Sequence, residues 1–213
     1  IIIANILVFV FLQGMGGNIP FTYAFSTVPG EILTNTDIIT DAKIVRDLSS
    51  GQSFEIPGLQ MTPIPVYLTM ITSMFMHGSI GHIAGNMLYL WIFGDNLENR
   101  LGHFRYLVFY ILCGVIASLS HVVFTQIVGA DTLVPSLGAS GAISGVLGGY
   151  LLLYPTRRVN ALLGWFIIAI PSWVALGLKD ILESPRPKDA PQPPGQHVAF
   201  EVRDHTADIE DGA

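Results

Sequence analysis

Three polar residues with catalytic potential lie inside strongly apolar stretches of this sequence. His82 and Asn86 are four positions apart, so a helix would carry both on one face. Ser140 opens another apolar stretch, within a Gly-Ala-Ser-Gly run. A serine hydroxyl can act as a nucleophile, and imidazole and amide groups can donate hydrogen bonds to a developing oxyanion. The three residue types together favour nucleophilic serine chemistry inside an apolar environment.

Each of these residues also has a structural interpretation. His82 and Asn86 can hydrogen-bond to neighbouring helices, and Ser140 and Ser144 can be small packing residues beside a Gly-x-x-x-Gly stripe. Ser140 differs from Ser144 because it is predicted to lie in the first turn of a helix. There the backbone N–H groups are unpaired and the helix dipole is positive, which suits an oxyanion. The combination of the two motifs in one chain favours catalysis.

The composition indicates a membrane protein. Apolar residues make up 51% of the 213 residues, the mean hydropathy is +0.55 and only 12% of residues are charged. An ordinary soluble domain has about 25% charged residues. The net charge of −6 and the absence of a basic cluster exclude nucleic acid as a partner. Cys113 is the single cysteine, which excludes an internal disulfide and a multi-cysteine metal site.

Apolar segments predict an all-α membrane protein, a polytopic helical bundle with about five transmembrane helices. A spanning helix needs about 20 residues. The first segment is too short, and we interpret it as a transmembrane helix that has lost its start. The alternative is a cleaved signal peptide, which is disfavoured because no basic residues lead into this segment. The predicted segments are residues 1–12, 71–93, 104–128, 138–154 and 159–178.

The charges of the loops predict the topology and the domain boundaries. Arginines follow the second and fourth segments, so both loops face the cytoplasm by the positive-inside rule, and the cell (inner) membrane is the expected location. The long loop of residues 15–65 then lies outside. We predict a membrane domain over residues 1–178. Residues 179–213 form a proline-rich, acidic tail that is expected to be disordered.

The sequence resembles the rhomboid family of intramembrane serine proteases. The resemblance lies in the run HGSIGHIAGNM at residues 77–87, in GASG at residues 138–141 and in the residues flanking the first run, 67–69 and 91–96. It implies a six-helix core, no cofactor and no metal. It also implies substrates that are transmembrane segments of proteins in the lipid bilayer. Ser140 would be the nucleophile, and His82 and Asn86 would stabilise the oxyanion.

One feature of the family has no counterpart in this sequence. The family's histidine base lies on a sixth helix in an Ala-His-x-x-Gly setting, and no sixth apolar segment follows residue 178. The sequence therefore predicts impaired catalysis, because a serine without a base is a weak nucleophile. It also predicts that the glycine stripe of the fourth segment is less well covered, and therefore a lower stability.

The other histidines are expected not to replace this base. His103 lies in a predicted cytoplasmic loop, His121 is interpreted as a packing or interfacial residue, and His197 and His205 lie in the tail. The alternative function is a non-catalytic rhomboid-like protein that binds transmembrane helices of client proteins. A channel or transporter is disfavoured because the predicted spans carry no internal carboxylate.

Overall fold

Helices form the body of this chain, as the sequence predicts. The computed structural model describes residues 1–46, 53–155, 158–163, 166–171 and 198–201. The α-helices in these ranges are α1 Ile2–Leu7, α2 Ile19–Ala24, α3 Pro29–Thr34, α4 Thr69–Thr72, α5 Ile80–Tyr89, α6 Asp95–Leu101, α7 His103–Val128 and α8 Ser140–Leu153. Short π-helical or 3₁₀ turns cover Val8–Leu12, Gly14–Gly16, Val66–Leu68, Ser73–Phe75 and Leu90–Gly94.

The third predicted segment forms α7, and its bounds are set by glycine. Gly102 at φ +80° separates α7 from α6, and Gly129 at φ +65° ends the helix in a left-handed conformation that glycine adopts without strain. Within the described ranges, α7 is the one helix that is long and apolar enough to cross a membrane by length and composition. At 1.5 Å per residue its 26 residues extend over about 39 Å.

The second predicted segment is broken near its start. Residues 66–75 form short turns, Met76 is extended, and the long helical run begins at Ile80. Ser79 marks the break because its hydroxyl accepts a hydrogen bond from the His82 N–H at 3.1 Å and caps α5. From Ile80 onward, α5, a π-helical turn and α6 follow one another without a gap.

The structure differs from the prediction over the fifth segment. Its described part forms an antiparallel pair, β3 Arg158–Leu163 and β4 Phe166–Pro171, and β3 also pairs with β5 Val198–Glu201. A run of apolar residues without a clear period fits a buried strand as well as a helix, so periodicity does not separate the two. The rest of the predicted tail lies outside the described residues. A second antiparallel pair, β1 Lys43–Arg46 with β2 Ser53–Ile56, lies in the long loop.

Aromatic and branched side chains from α5 to α8 form one core. Several of its members are almost fully buried. The Phe93 ring, in the π-helical turn, meets the Tyr150 ring of α8 edge to face, with centroids 5.0 Å apart. The best-buried members of this core are Phe93, Leu97, Tyr110, Ala142, Ile143, Val146 and Tyr150.

Helix α7 packs against the glycine stripe of α8. A Cβ atom at Gly141 would lie 2.7 Å from the Ala117 Cβ, and one at Gly145 would lie 2.5 Å from the Cys113 Cβ. The neighbour at these two glycines is therefore α7, which packs closely against the Gly-x-x-x-Gly face. Whether the stripe is less well covered than it would be with a further helix stays a prediction.

We expect Gly145→Ala to destabilise the protein by about 1–3 kcal/mol, because the added methyl overpacks the contact with Cys113. Gly148→Ala, three residues further along α8, is the matched control. A Cβ there meets nothing within 4 Å, so this variant should keep its stability or gain up to about 1 kcal/mol from helix propensity. Unfolding in detergent measures both. Equal stability of the two variants would contradict the close packing of α7 and α8.

The long loop is hydrogen-bonded to the segment that connects α7 and α8. Thr27 and Ser136 exchange two backbone hydrogen bonds, of 3.0 and 2.7 Å, and the Gly30 N–H donates to the Thr132 carbonyl at 2.8 Å. Glu31, beside Gly30, is 1% exposed and accepts a hydrogen bond from the Ile38 N–H at 3.2 Å. Burial raises the pKa of the Glu31 carboxyl, against the lowering effect of that hydrogen bond.

Glu31→Gln should stabilise the protein at neutral pH. A raised pKa in the folded state means that the folded protein binds the proton more tightly than the unfolded chain does. Stability is therefore highest when the carboxyl is protonated and falls as the pH rises from below 4.5 through the folded-state pKa. The amide keeps an oxygen acceptor for the Ile38 N–H without the charge.

Melting temperatures between pH 4 and 8 test this expectation. The advantage of Glu31→Gln should be present at pH 7 to 8 and shrink toward pH 4. Asp41→Asn, at an exposed position in the same loop, should show no comparable gain. A stability difference that does not depend on pH would refute the role of Glu31 ionisation.

Candidate functional site

Ser140 is the first residue of α8 and is exposed. The first hydrogen bond at this helix end runs from the Ile143 N–H to the Ala139 carbonyl, at 2.9 Å. The N–H groups of residues 140–142 precede that bond, so they form the positive end of the helix dipole beside the Ser140 hydroxyl. The position in the first helical turn, expected from the sequence, is confirmed. The catalytic role of Ser140 stays a prediction.

His82 and Asn86 lie one turn apart on α5, as their spacing predicts. His82 is half-buried, while Asn86 is 9% exposed. The Asn86 Nδ2 atom is buried and makes no hydrogen bond within the described part of the chain. A buried amide donor without a partner is costly unless a ligand or a transient species uses it.

Gly138 brings these residues together. It has φ +114°, a conformation that favours glycine, and its N–H donates to the Ser73 carbonyl at 2.8 Å. A Cβ at this position would lie 2.8 Å from the His82 Nε2 and 3.8 Å from the Asn86 Nδ2. The imidazole and the amide therefore converge on the backbone two residues before Ser140.

The hydrogen bonding of His82 indicates which ring nitrogen carries the proton. The Gly78 N–H donates to the His82 Nδ1 at 3.4 Å, so Nδ1 is the acceptor. A neutral imidazole that accepts at Nδ1 carries its proton on Nε2. In this tautomer the protonated Nε2 is the ring nitrogen that lies against Gly138.

A buried polar network lies behind His82, and the sequence motifs alone did not reveal it. His77 is fully buried, and its ring is 5.1 Å from that of His82 between centroids. The His77 backbone N–H donates to the Gln13 Oε1 at 3.0 Å, and the Gln13 Nε2 donates to the His77 backbone carbonyl at 3.0 Å and to the Thr22 Oγ1 at 2.8 Å. The sequence signal for this network was Gln13, a polar residue immediately after the first apolar segment.

A cavity of about 190 Å³ opens beside Ser140. Four parts of the chain line it: the turn at Ser73, the middle of α7, the loop before α8 and the first turn of α8. His121 of α7, interpreted from the sequence as a packing or interfacial residue, is exposed and lines the cavity as well. On α7, the cavity is lined by positions that include 114, 117, 118 and 121. Their spacing puts them on one helical face, and this spacing is the feature of the sequence that could have indicated a shared surface.

Comparison with known proteins supports the similarity seen in the motifs. The model of the rhomboid domain matches residues 65–186, which is 122 of the 213 residues. Rhomboid protein 1, mitochondrial, of Saccharomyces cerevisiae is 34% identical over 119 residues, which cover 55% of this chain and 33% of that protein. Presenilin-associated rhomboid-like protein, mitochondrial, of Homo sapiens is 34% identical over 116 residues, 50% of this chain and 30% of that protein.

A bacterial relative is similar over a shorter range. Rhomboid protease GluP of Bacillus subtilis is 36% identical over 89 residues, which cover 42% of this chain and 16% of that protein. The chain thus spans a third or less of the length of these three relatives. No solved structure matches this chain.

Gly138→Ala should reduce the reactivity of Ser140 toward a fluorophosphonate probe by about 10²-fold. The added Cβ would clash with the His82 ring and displace its donor, and loss of one oxyanion donor typically costs that much or more. Gly85→Ala on α5, where a Cβ meets nothing within 4 Å, is the control and should label like the wild type. If both variants label at the wild-type rate, the approach of His82 to Gly138 does not affect the serine.

Proposed function

The chain belongs to the rhomboid family, and we propose that it is an intramembrane serine endopeptidase that cleaves transmembrane segments of other membrane proteins. The family indicates an integral membrane protein, and membrane-protein substrates in the bilayer are part of this proposal. Ser140 is proposed as the nucleophile, and His82 and Asn86 as donors to the oxyanion. The observation that carries the proposal is the convergence of the His82 Nε2 and the Asn86 Nδ2 on Gly138, two residues before Ser140.

Two further features support these roles. The Asn86 amide is buried and has no hydrogen-bond partner for its Nδ2 among the described residues, so this donor is free to bind an oxyanion. The contact between the Gly78 N–H and the His82 Nδ1 favours a proton on Nε2, and this nitrogen also lies against Gly138, which supports His82 as a second donor. Donors that are already oriented stabilise developing negative charge without a reorganisation cost, and they are most effective where water is excluded.

The proposed reaction is acyl transfer through a covalent intermediate. The Ser140 Oγ attacks the carbonyl carbon of a substrate peptide bond, and the carbonyl oxygen takes up negative charge. That oxygen accepts hydrogen bonds from His82, from Asn86 and from the N–H groups at the start of α8. The amide C–N bond then breaks while the leaving nitrogen takes up the proton that the Ser140 hydroxyl released, so an acyl-enzyme remains on Ser140. Water attacks this ester, releases the carboxylic acid and returns a proton to the Ser140 Oγ.

The membrane in which this reaction occurs is a separate proposal. These relatives include proteins called mitochondrial and one bacterial protease. The cell (inner) membrane, with residues 15–65 outside, stays a prediction from the loop charges. Protease protection of epitope tags placed in the long loop and after residue 102 tests this orientation.

Fluorophosphonate labelling of the purified chain in detergent tests the function. Wild type should label and Ser140→Ala should not, because the probe reacts only with an activated serine. His82→Ala and Asn86→Ala should each slow labelling by about 10²–10³-fold, the usual cost of one oxyanion donor. Ser144→Ala, at an exposed position one turn further along α8, is the matched control and should label normally.

Absence of labelling in a folded sample would overturn the protease proposal for this chain. Binding of client transmembrane helices without cleavage is the alternative, and retention of a transmembrane peptide by both the wild type and Ser140→Ala would support it. Labelling that persists in Ser140→Ala would place the reactive serine elsewhere and refute the assignment of the nucleophile. The impaired catalysis expected from the sequence stays a prediction, which the same wild-type labelling rate tests.

A further inference from the structure

We propose that Gln13 is a positioning residue for His82, an inference that rests on the proposed serine-protease function. Gln13 follows the turn Val8–Leu12 and is fully buried. Its side chain holds the backbone between His77 and Gly78, and this backbone contacts the His82 ring. Through that connection Gln13 determines which nitrogen of His82 carries the proton.

Three hydrogen bonds hold the side-chain amide of Gln13 in one orientation. Its Oε1 accepts from the His77 backbone N–H at 3.0 Å, and its Nε2 donates to the His77 backbone carbonyl at 3.0 Å and to the Thr22 Oγ1 at 2.8 Å. The Thr22 hydroxyl donates its own hydrogen to the Asn18 carbonyl at 2.9 Å, so toward Gln13 it is an acceptor. The amide oxygen and both amide hydrogens are therefore used, and a flipped amide would lose these bonds.

The backbone of Gln13 is fixed as well. Its N–H donates to the Val8 carbonyl at 2.9 Å, and its carbonyl accepts from the N–H groups of Gly16 and Asn18 at 3.0 and 2.9 Å. The amide thus reaches the start of α5 from a part of the chain that is itself hydrogen-bonded in place.

One peptide group connects Gln13 with His82. The His77 carbonyl and the Gly78 N–H belong to the same peptide unit, which is planar and trans, so the two groups point in opposite directions. The Gln13 Nε2 binds the carbonyl at 3.0 Å, and the N–H donates to the His82 Nδ1 at 3.4 Å. Rotation of this peptide group would break both hydrogen bonds together. Gln13 therefore fixes the direction of the Gly78 N–H.

The segment before α5 depends on Gln13 because it lies between helices. Within the described ranges, both backbone polar groups of His77 bond to the Gln13 side chain and not to another backbone group. Buried backbone groups without partners are costly, so loss of Gln13 would let this segment turn toward other partners. The His77 ring also packs edge-on against the His82 ring, with centroids 5.1 Å apart, so a shift of His77 would move that ring too.

The direction of the Gly78 N–H matters because neutral imidazole has two forms. A ring that accepts at Nδ1 carries its proton on Nε2, the nitrogen that lies against Gly138. With the Gly78 N–H turned away, the form that is protonated at Nδ1 is no longer disfavoured. That form has no hydrogen on Nε2, so it cannot donate to an oxyanion from this nitrogen.

Nitrogen-15 NMR of the histidine-labelled chain in detergent tests where the proton lies, without relying on activity. Protonated and unprotonated ring nitrogens give separate signals, and loss of signals in His82→Gln identifies those of His82. At about pH 8, where an ordinary imidazole is neutral, wild-type His82 should be protonated at Nε2. Gln13→Met, similar in length but without an amide, should show the form protonated at Nδ1 as well.

Thr22→Val is the matched control. It removes one hydrogen bond from the same buried network and leaves both bonds between Gln13 and His77 in place. This variant should keep the wild-type His82 signals, even where its melting temperature falls as far as that of Gln13→Met, because a buried donor loses its partner.

Fluorophosphonate labelling then relates the position of the proton to reactivity. Gln13→Met should label Ser140 about 10-fold more slowly than the wild type. This effect is smaller than the loss of a whole oxyanion donor, because part of the His82 population keeps the competent form. Thr22→Val should label at the wild-type rate.

The possible results separate this role from the protease function. Wild-type His82 protonated at Nδ1 would overturn the role of Gln13 without any variant, even if Gln13→Met does not fold. Ser140-dependent labelling at the wild-type rate in folded Gln13→Met would overturn it and leave the protease function standing. Slow labelling of Gln13→Met with unchanged His82 signals, or equal slowing in Thr22→Val, would show a structural role and overturn it as well. No labelling of the folded wild type would overturn both proposals.

Discussion

The close approach of α8 to α7 is the contact on which the rest of the site depends. Gly141 and Gly145 present no side chain to Ala117 and Cys113, so the two backbones come nearer than larger residues would allow. This contact fixes the position of α8 along the axis of α7. It therefore determines where Ser140 lies and which α7 residues face it.

Gly138 extends the same constraint from packing to chemistry. Its positive φ turns the chain into α8, and its missing side chain leaves space for the His82 ring. The Ser73 carbonyl accepts a hydrogen bond from the Gly138 N–H, and the Ser73 Oγ accepts one from the Thr27 hydroxyl at 2.9 Å. Both hydroxyl groups are buried, so this bond satisfies polar atoms that would otherwise be costly inside the fold. The long loop, α5 and α8 are thus joined around one short turn.

The polar groups near Ser140 come from two helices. His82 and Asn86 of α5 lie against Gly138, whereas His121 of α7 lines the cavity beside Ser140. Stabilising an oxyanion requires hydrogen-bond donors, and the Asn86 amide is such a group.

The sequence by itself determined the helical character of the chain, the bounds of α7 and α8 to within a few residues, and Ser140, His82 and Asn86 as the candidate site. These follow from local patterns: apolar runs, a four-residue spacing and small residues at a helix start. It did not determine the break before α5 or the strands at residues 158–163 and 166–171, because an apolar run is compatible with either a helix or a strand. Only the tertiary structure decided that α7 packs against the glycine stripe and that His121 shares a cavity with Ser140, since both depend on the register between two helices, which no local pattern specifies.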